Sequence, residues 1–166
     1  MHLHRFEKIW LFFGIGALAL FLVVLGVAAF AYGMQPQSAI EVCDPTELER
    51  IEDFKPENLG VTKVDEGKYV INMVASAFNY DFGTDENGQP VKKIRIPKGS
   101  TVLFQATTKD VIHGFEIAGT NVNMMLEPGF VSRYETKLNK PGEYTIVCNE
   151  YCGVGHHLMF ATLEVY

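Results

Sequence analysis

Four side chains that bind soft metal ions lie close together near the C-terminal end of the sequence. Cys148, Cys152, His156 and Met159 form a C-x3-C-x3-H-x2-M run. Thiolates, imidazoles and thioethers are together the ligands that select copper over harder cations. The run therefore predicts a copper site whose ligands come mainly from one loop.

A further imidazole is available upstream, at His113 in residues 110–115. It stands at the start of a predicted strand, from which the topology of a β-sandwich can bring it beside the loop. The number of thiols then distinguishes between types of copper site. A mononuclear blue copper site uses one thiolate, whereas a second cysteine in the same loop can bridge a second metal ion. The ligand set predicts a binuclear centre.

Two other interpretations of the cysteines stay open at this point. Cys148 and Cys152 could form a disulfide in a purely structural surface module, since an oxidising compartment favours such bonds. A structural zinc site of the Cys2His2 type is the other interpretation. However, a disulfide does not call for His156 and Met159 at these spacings, and zinc sites are built from thiolates, imidazoles and carboxylates rather than thioethers.

The region from Lys68 onward must position these ligands, and its pattern is typical of a β-sandwich or barrel. Short runs rich in Val, Ile, Thr, Tyr and Phe are separated at near-regular spacing by Gly, Pro and Asn. Alternation places Tyr144, Ile146 and Cys148 on one inward face. We predict at least seven strands, at residues 68–75, 92–96, 101–107, 114–117, 131–138, 143–148 and 160–165.

The N-terminal region predicts a membrane anchor. Residues 9–32 carry no charge, and as a helix they measure roughly 36 Å at about 1.5 Å per residue, enough to cross a hydrocarbon core of about 30 Å. A cleaved signal peptide is the competing interpretation, but its apolar region is shorter, about 7 to 15 residues. Arg5 and Lys8 precede the helix, so the positive-inside rule places the N-terminus in the cytoplasm and the C-terminal domain outside.

These observations divide the chain into four parts. We predict a cytoplasmic tail at 1–8, a transmembrane helix at 9–33, a linker at 34–66 and a β-domain at 67–166. Within the linker, Asp44, Pro45 and Glu47 stand in helix-starting order and predict one short helix at 45–53. The net charge of −6 argues against nucleic acid as a partner and for a soluble cationic one.

The ligand loop and residues 111–115 (VIHGF) resemble the CuA domain of subunit II of the haem-copper oxidases. The likeness is greatest to the short, single-helix subunit II of the B family (ba-type), through residues 7–11, 110–115, 119–123 and 128–129. The resemblance implies an all-β, cupredoxin-like, antiparallel Greek-key β-sandwich on one transmembrane helix. It also implies a plasma-membrane location, with the β-domain on the outer or periplasmic side.

The same resemblance implies a ligand assignment for two copper ions. Cys148 and Cys152 would bridge both ions, and His113 and His156 would each bind one. Met159 and the backbone carbonyl of Glu150 would be weak axial ligands. In such a centre one electron is shared over both ions in a rigid site, so electron transfer needs little reorganisation.

The function implied is electron entry into a terminal oxidase. The subunit would accept electrons from a soluble carrier, cytochrome c or a blue copper protein, and pass them to haem in subunit I, where oxygen is reduced to water with proton pumping. Phe78, Tyr80 and Phe82 are candidates for the electron-entry contact, and Glu7 for the mouth of a proton path. Subunit I, the donor and membrane lipid are the expected partners. The alternatives are a CuA subunit of a nitric oxide reductase and an anchored copper carrier.

Overall fold

The computed structural model describes residues 4–34 and 36–166, with the side chain of Ile40 left out. The chain divides into two compact units, Met1–Gln35 and Pro36–Tyr166. Residues 1–3 of the predicted cytoplasmic tail and Gln35 of the predicted linker lie outside the described residues.

The first unit contains the helix α1, Arg5–Ala31, which begins and ends earlier than the predicted 9–33 segment. Its N-terminus is capped, because the Glu7 carboxylate accepts a hydrogen bond from the backbone N–H of His4 at 2.7 Å. The 27 residues measure about 40 Å. Among the described residues this is the one helix long and apolar enough to cross a membrane. These properties fit a single-pass membrane protein.

The second unit is a sandwich of two β-sheets, which confirms the predicted all-β, cupredoxin-like class. The first sheet has the order β1-β9-β6-β3-β2, with β4 also paired to β3, and the second has the order β5-β11-β10-β7-β8. The strands are β1 Ser38–Val42, β2 Gly60–Asp65, β3 Lys68–Ser76, β4 Asn79–Asp81, β5 Lys93–Ile96, β6 Ser100–Thr108, β7 His113–Ile117, β8 Asn123–Leu126, β9 Phe130–Leu138, β10 Gly142–Val147 and β11 Phe160–Val165. All seven predicted strands are present, each within one residue at either end.

The two sheets contain parallel as well as antiparallel pairs, which corrects the expectation of a purely antiparallel sandwich. β3 runs parallel to β6, and β5 runs parallel to β11. β10 and β11 are antiparallel, with Val147 opposite Phe160. The connection between these two strands is the run that carries the predicted ligands.

Part of the predicted 34–66 linker belongs to the sandwich. It contributes β1 and β2, which are the two end strands of the first sheet's order. The single helix predicted at 45–53 is wrong, because the structure has three short 3-10 turns instead, Leu48–Arg50, Glu52–Phe54 and Pro56–Asn58. Leu48 and Phe54 are both buried in one cluster. Six residues of α-helix would turn their side chains about 120° apart, and the break between the first two 3-10 turns lets both side chains enter the cluster.

Two apolar clusters hold this unit together. The larger one fills the space between the sheets and includes Phe104, Ile117, Ile146 and Leu163. The smaller one involves the opposite face of β3 and β9, since strand side chains alternate between faces. It consists of Cys43, Leu48, Phe54, Val74 and Val131.

Candidate metal centre

The ligand loop is the twelve-residue connection between β10 and β11. The hairpin register ends at Val147 and Phe160, and the backbone N–H of Cys148 donates to the carbonyl of Met159 at 3.4 Å. Both ends of the loop are thereby held at one end of the second sheet. A 3-10 turn, His156–Leu158, orders the part of the loop before Met159.

The loop brings its sulfur atoms and one imidazole together. Cys148 Sγ lies 3.8 Å from Cys152 Sγ, which lies 3.6 Å from His156 Nδ1 and 3.9 Å from Met159 Sδ. The carbonyl oxygen of Glu150 is 3.1 Å from Cys148 Sγ. Both cysteines are free thiols, and their separation is far longer than the S–S bond of about 2.05 Å. The arrangement is that of a metal site rather than a disulfide.

His113 joins this cluster from the first position of β7. Its ring is fully buried, and its ligand nitrogen and the sulfur atoms of Cys148 and Cys152 lie within 4.8 Å of one another. The ring's Nε2 is 2.8 Å from Asp110 Oδ1. Among the described residues, its Nδ1 is the one buried side-chain nitrogen or oxygen without a hydrogen-bond partner. Buried polar atoms are almost always paired, and a metal ion beside the thiols would supply the partner that this nitrogen lacks.

Metal binding at the cluster requires the thiols to lose their protons. Burial raises the pKa of the Cys152 thiol to about 11, and the neighbouring Cys148 adds to the shift. Burial and the nearby Cys148 likewise raise the pKa of the Tyr80 hydroxyl. A metal ion must displace the thiol proton on binding and then supplies the positive charge that stabilises the thiolate. With two thiols, two imidazoles and a thioether, the residues present fit copper.

Glycines allow the ligand segments to approach one another. A Cβ at Gly114 would lie 2.7 Å from the backbone nitrogen of Asn149, so β7 can contact the loop here only without a side chain. The N–H of Gly114 donates to Cys148 Sγ at 3.4 Å, and its carbonyl accepts from the Tyr80 hydroxyl at 2.5 Å. Gly114 therefore joins the ligand loop to the core.

The three candidate electron-entry residues have different environments. Tyr80 is 1% exposed and Phe82 is 2% exposed, so neither ring can touch a donor at the surface. Phe78 is half-buried and has a positive φ of 66°. A Cβ at Gly155 would lie 2.5 Å from the Phe78 ring, which shows that this ring lies directly against the ligand loop.

Two residues have contacts at the site that the sequence did not predict. Asp110 is hydrogen-bonded to the ring of His113, and the Tyr80 hydroxyl donates to the carbonyl of Gly114 beside Cys148. An acid three residues before a candidate histidine ligand is the signal that could have identified Asp110. Cys43, by contrast, is buried away from the cluster, with its Sγ 3.4 Å from Thr107 Oγ1.

Comparison with known proteins gives consistent matches. Residues 78–165 match the family model described as cytochrome c oxidase subunit II, periplasmic domain. A cytochrome c oxidase subunit 2 of Thermus thermophilus is 35% identical over 162 residues, which cover 96% of this chain and 91% of the relative. A second such chain from Thermus thermophilus is 36% identical over 139 residues, covering 84% and 96%. A chain in a cryo-EM structure of a haem-copper terminal oxidase dimer is 32% identical with a TM-score of 0.77, over 98% of this chain and all of that one.

Proposed function

The chain belongs to the cytochrome c oxidase subunit II family, and we propose from this that its copper site is a binuclear CuA centre held by the ligand loop and His113. As a member of the family, it is the electron-entry subunit of a haem-copper terminal oxidase and an oxidoreductase component that binds copper. The likeness expected to the single-helix B-family (ba-type) subunits agrees with the Thermus chains, which match it over nearly their whole length.

The ligand assignment rests on the contacts within the cluster. Cys148 and Cys152 are proposed to bridge the two ions, since their sulfur atoms are 3.8 Å apart. His113 and His156 would each bind one ion through Nδ1, which in His113 is the buried nitrogen without a partner and in His156 lies 3.6 Å from Cys152 Sγ. The single observation that carries the proposal is the buried, unpaired Nδ1 of His113 beside two free thiols.

The weaker ligands come from the same loop. Met159 is buried with its Sδ 3.9 Å from Cys152 Sγ, and the Glu150 carbonyl lies 3.1 Å from Cys148 Sγ. When bound, the copper pair would supply one-electron redox chemistry. The chain contributes rigidity, because the ligands lie at the ends of paired strands and on a loop fixed at both ends, so that they move little when the charge changes.

The partners follow from the two units of the chain. Subunit I of the oxidase is the partner that family membership implies. α1 buries none of its side chains within its own unit, so we propose that it lies against lipid and subunit I. Arg5 and Lys8 near its start support a cytoplasmic N-terminus and an outward-facing β-domain. Glu7 remains the proposed mouth of a proton path in the pumping complex, in addition to its role as helix cap.

A soluble electron donor is proposed to dock beside the ligand loop. Exposed apolar side chains surround the cluster, from Tyr151, Val154 and Leu158 on the loop and from Val111 and Ile112 just before His113. An apolar contact surface on a chain of net charge −6 suits a cationic cytochrome c or a blue copper protein. Phe78 is the remaining candidate for the contact through which the electron enters.

The copper count tests the central proposal. The full chain is purified in detergent and loaded with copper, and copper per chain and the electron paramagnetic resonance spectrum are measured. We expect two coppers per chain, a purple colour and a seven-line hyperfine pattern. Cys152→Ser should lose the seven-line pattern, whereas Cys43→Ser, which removes a thiol outside the cluster, should keep it. One copper with a four-line pattern, or no copper, would refute the binuclear centre.

A further inference from the structure

The carboxylate of Asp110 lies within hydrogen-bond distance of four donor groups, on β6, β7, the segment between them and the turn after β3. Its Oδ1 accepts from the backbone N–H of Val111 at 2.7 Å, from the Thr108 hydroxyl at 3.1 Å and from His113 Nε2 at 2.8 Å. Its Oδ2 accepts from the backbone N–H of Ala77 at 2.5 Å. Each oxygen thus faces a backbone N–H group, Val111 N–H at Oδ1 and Ala77 N–H at Oδ2, and since a backbone N–H can only donate, both oxygens of Asp110 act as acceptors.

We propose that Asp110 is a positioning residue of the copper centre: it fixes the tautomer and orientation of His113 and ties the turn that carries Phe78 to the same ligand. The expected effects on copper affinity and reduction potential rest on the proposed CuA function. The expected effect on the His113 tautomer rests only on the contacts of Asp110.

The first step concerns the two nitrogens of the His113 ring. A carboxylate can only accept hydrogen bonds, so the Nε2 atom beside it must carry the proton. In a neutral imidazole Nδ1 then has a free lone pair, and this is the buried atom without a partner, in a ring that lies beside the thiols. Asp110 thus selects the tautomer that can bind a metal ion, in the way that carboxylates orient histidine ligands generally.

The second step concerns the turn between β3 and β4. Ala77 in this turn is exposed, and its N–H donates a hydrogen bond to the Asp110 carboxylate. The next residue, Phe78, lies with its ring against Gly153 and Gly155 of the ligand loop, where a Cβ would come within 3.3 Å and 2.5 Å of the ring. The turn therefore contacts the ligand segments twice, through the hydrogen bond from Ala77 to Asp110 and through the Phe78 ring against the ligand loop. One carboxylate connects the exposed backbone at Ala77 to the ligand His113.

A purely structural role is the alternative, since Asp110 also closes a local turn through Val111 and Thr108. Asp85 offers a matched control for that role. Its carboxylate accepts two backbone N–H groups, from Asn87 at 2.9 Å and Gln89 at 2.8 Å, in an exposed turn. Asp85→Asn and Asp110→Asn therefore remove the same charge from similar turns, but only the second variant changes a contact to His113.

The experiment compares the full chain in detergent with Asp110→Asn, Asp110→Ala and Asp85→Asn. Without copper, nitrogen NMR of His113 should show the Nε2-protonated tautomer in the wild type and in Asp85→Asn, and a mixture of tautomers in Asp110→Asn. The Ala77 amide should lose its protection from hydrogen exchange in Asp110→Ala. The isosteric Asn variant keeps the test usable if the Ala variant is unstable.

With copper, Asp110→Asn should bind the metal about 10- to 100-fold more weakly. It should also have a higher reduction potential, because an amide donates less electron density through His113. Asp85→Asn should match the wild type in both. An Nδ1-protonated His113 in the wild type, or equal tautomers, affinities and potentials in the two Asn variants, would overturn the proposal. If the wild type failed to bind two coppers, the proposed function would fall, while the copper-free tautomer measurement would still decide the role of Asp110.

Discussion

At the residue scale, the ligand loop depends on two glycines that lie against the ring of Phe78. Gly153 has a φ of 129°, which side chains rarely adopt, so its backbone alone requires glycine. Gly155 has an ordinary φ of −92°, and the ring is the reason for glycine there. Phe78 itself has a positive φ, which costs of order 1–3 kcal/mol and persists only where the surroundings hold it. The ring and the loop therefore depend on each other.

A double-mutant cycle tests this dependence. Gly155→Ala places a Cβ 2.5 Å from the Phe78 ring, and we expect it to destabilise the protein by about 1–3 kcal/mol through overpacking and to lower copper loading. Phe78→Ala removes the ring, so adding Gly155→Ala to that variant should cost much less. Thermal unfolding of the four proteins gives the coupling energy. Independent, additive effects would show that the ring does not buttress the loop.

The sequence could single out the candidate loop ligands because they are close together in the chain. Cys148, Cys152, His156 and Met159 lie within one connection, and their spacing alone indicates copper chemistry. The contacts that orient the site, by contrast, join residues that are far apart in the sequence. Asp110 meets Ala77 from 33 positions away, and Tyr80 meets Gly114 from 34 positions away. Such contacts depend on the parallel pairing of β3 with β6, which no local pattern reveals.

At the scale of elements, strand prediction succeeded where alternation was clear. The alternation of Tyr144 and Ile146 in β10 gave such a signal, whereas β2 has one buried residue followed by five exposed ones and β4 has only three residues. The same limit explains the helix predicted at 45–53. The Asp44 side chain does accept the Thr46 N–H at 2.9 Å, as a helix cap would. Burial of Leu48 and Phe54 in the same cluster prevents the helix from continuing.

Side chains protect β8 at Met125, where no further strand follows in the described part of the sheet. β8 is the last strand of the second sheet and pairs with β7, which begins at His113. The side-chain amide of Gln37 takes the place of a further strand: its oxygen accepts from the N–H of Met125 at 2.5 Å, and its nitrogen donates to the carbonyl of Met125 at 2.8 Å. An exposed edge is a template for unwanted pairing, so Gln37 closes the edge next to the metal site.

Hydrogen exchange at Met125 measures this protection. Gln37→Ala removes the acceptor of the Met125 N–H, and we expect the exchange of this amide to become at least about tenfold faster, equivalent to about 1.4 kcal/mol, within the usual range for one hydrogen bond. Ser132→Ala is the matched control, because its hydroxyl donates only to the Met125 carbonyl, at 2.7 Å. Unchanged exchange in Gln37→Ala, or an equal increase in both variants, would contradict the role of Gln37.

At the scale of the whole molecule, the segment between α1 and the predicted domain is part of the folded unit. The compact unit begins at Pro36 rather than at residue 67. β1 pairs with β9, and β2 pairs with β3. The 3-10 turns between β1 and β2 cover the outer face of the first sheet with Leu48 and Phe54. The sequence pattern did not reveal this, because the spacing of Leu48, Ile51 and Phe54 also suits a short helix and the strands at 38–42 and 60–65 are short.

Two truncated chains test whether the folded unit begins at residue 36, as in the structure, or at residue 67, as the sequence predicted. A chain of residues 36–166 keeps both apolar clusters, whereas a chain of residues 67–166 loses two strands and exposes Val74 and Val131. Burial of a side chain such as Leu48 or Phe54 contributes about 1.5–3 kcal/mol each, and the lost strand pairing adds to this. Such a loss is comparable with the whole stability of a domain, about 5–15 kcal/mol.

We therefore expect the 36–166 chain to unfold cooperatively and to take up copper like the full chain, and the 67–166 chain to be unfolded or aggregated at 25 °C. Circular dichroism during heating, followed by copper titration, distinguishes the two. Val74→Ser in the 36–166 chain is an intermediate case, since it disturbs the smaller cluster while keeping every strand. It should lower the melting temperature without changing the copper count. A 67–166 chain as stable as the longer one would mean that the smaller cluster contributes nothing to the metal-bearing sandwich.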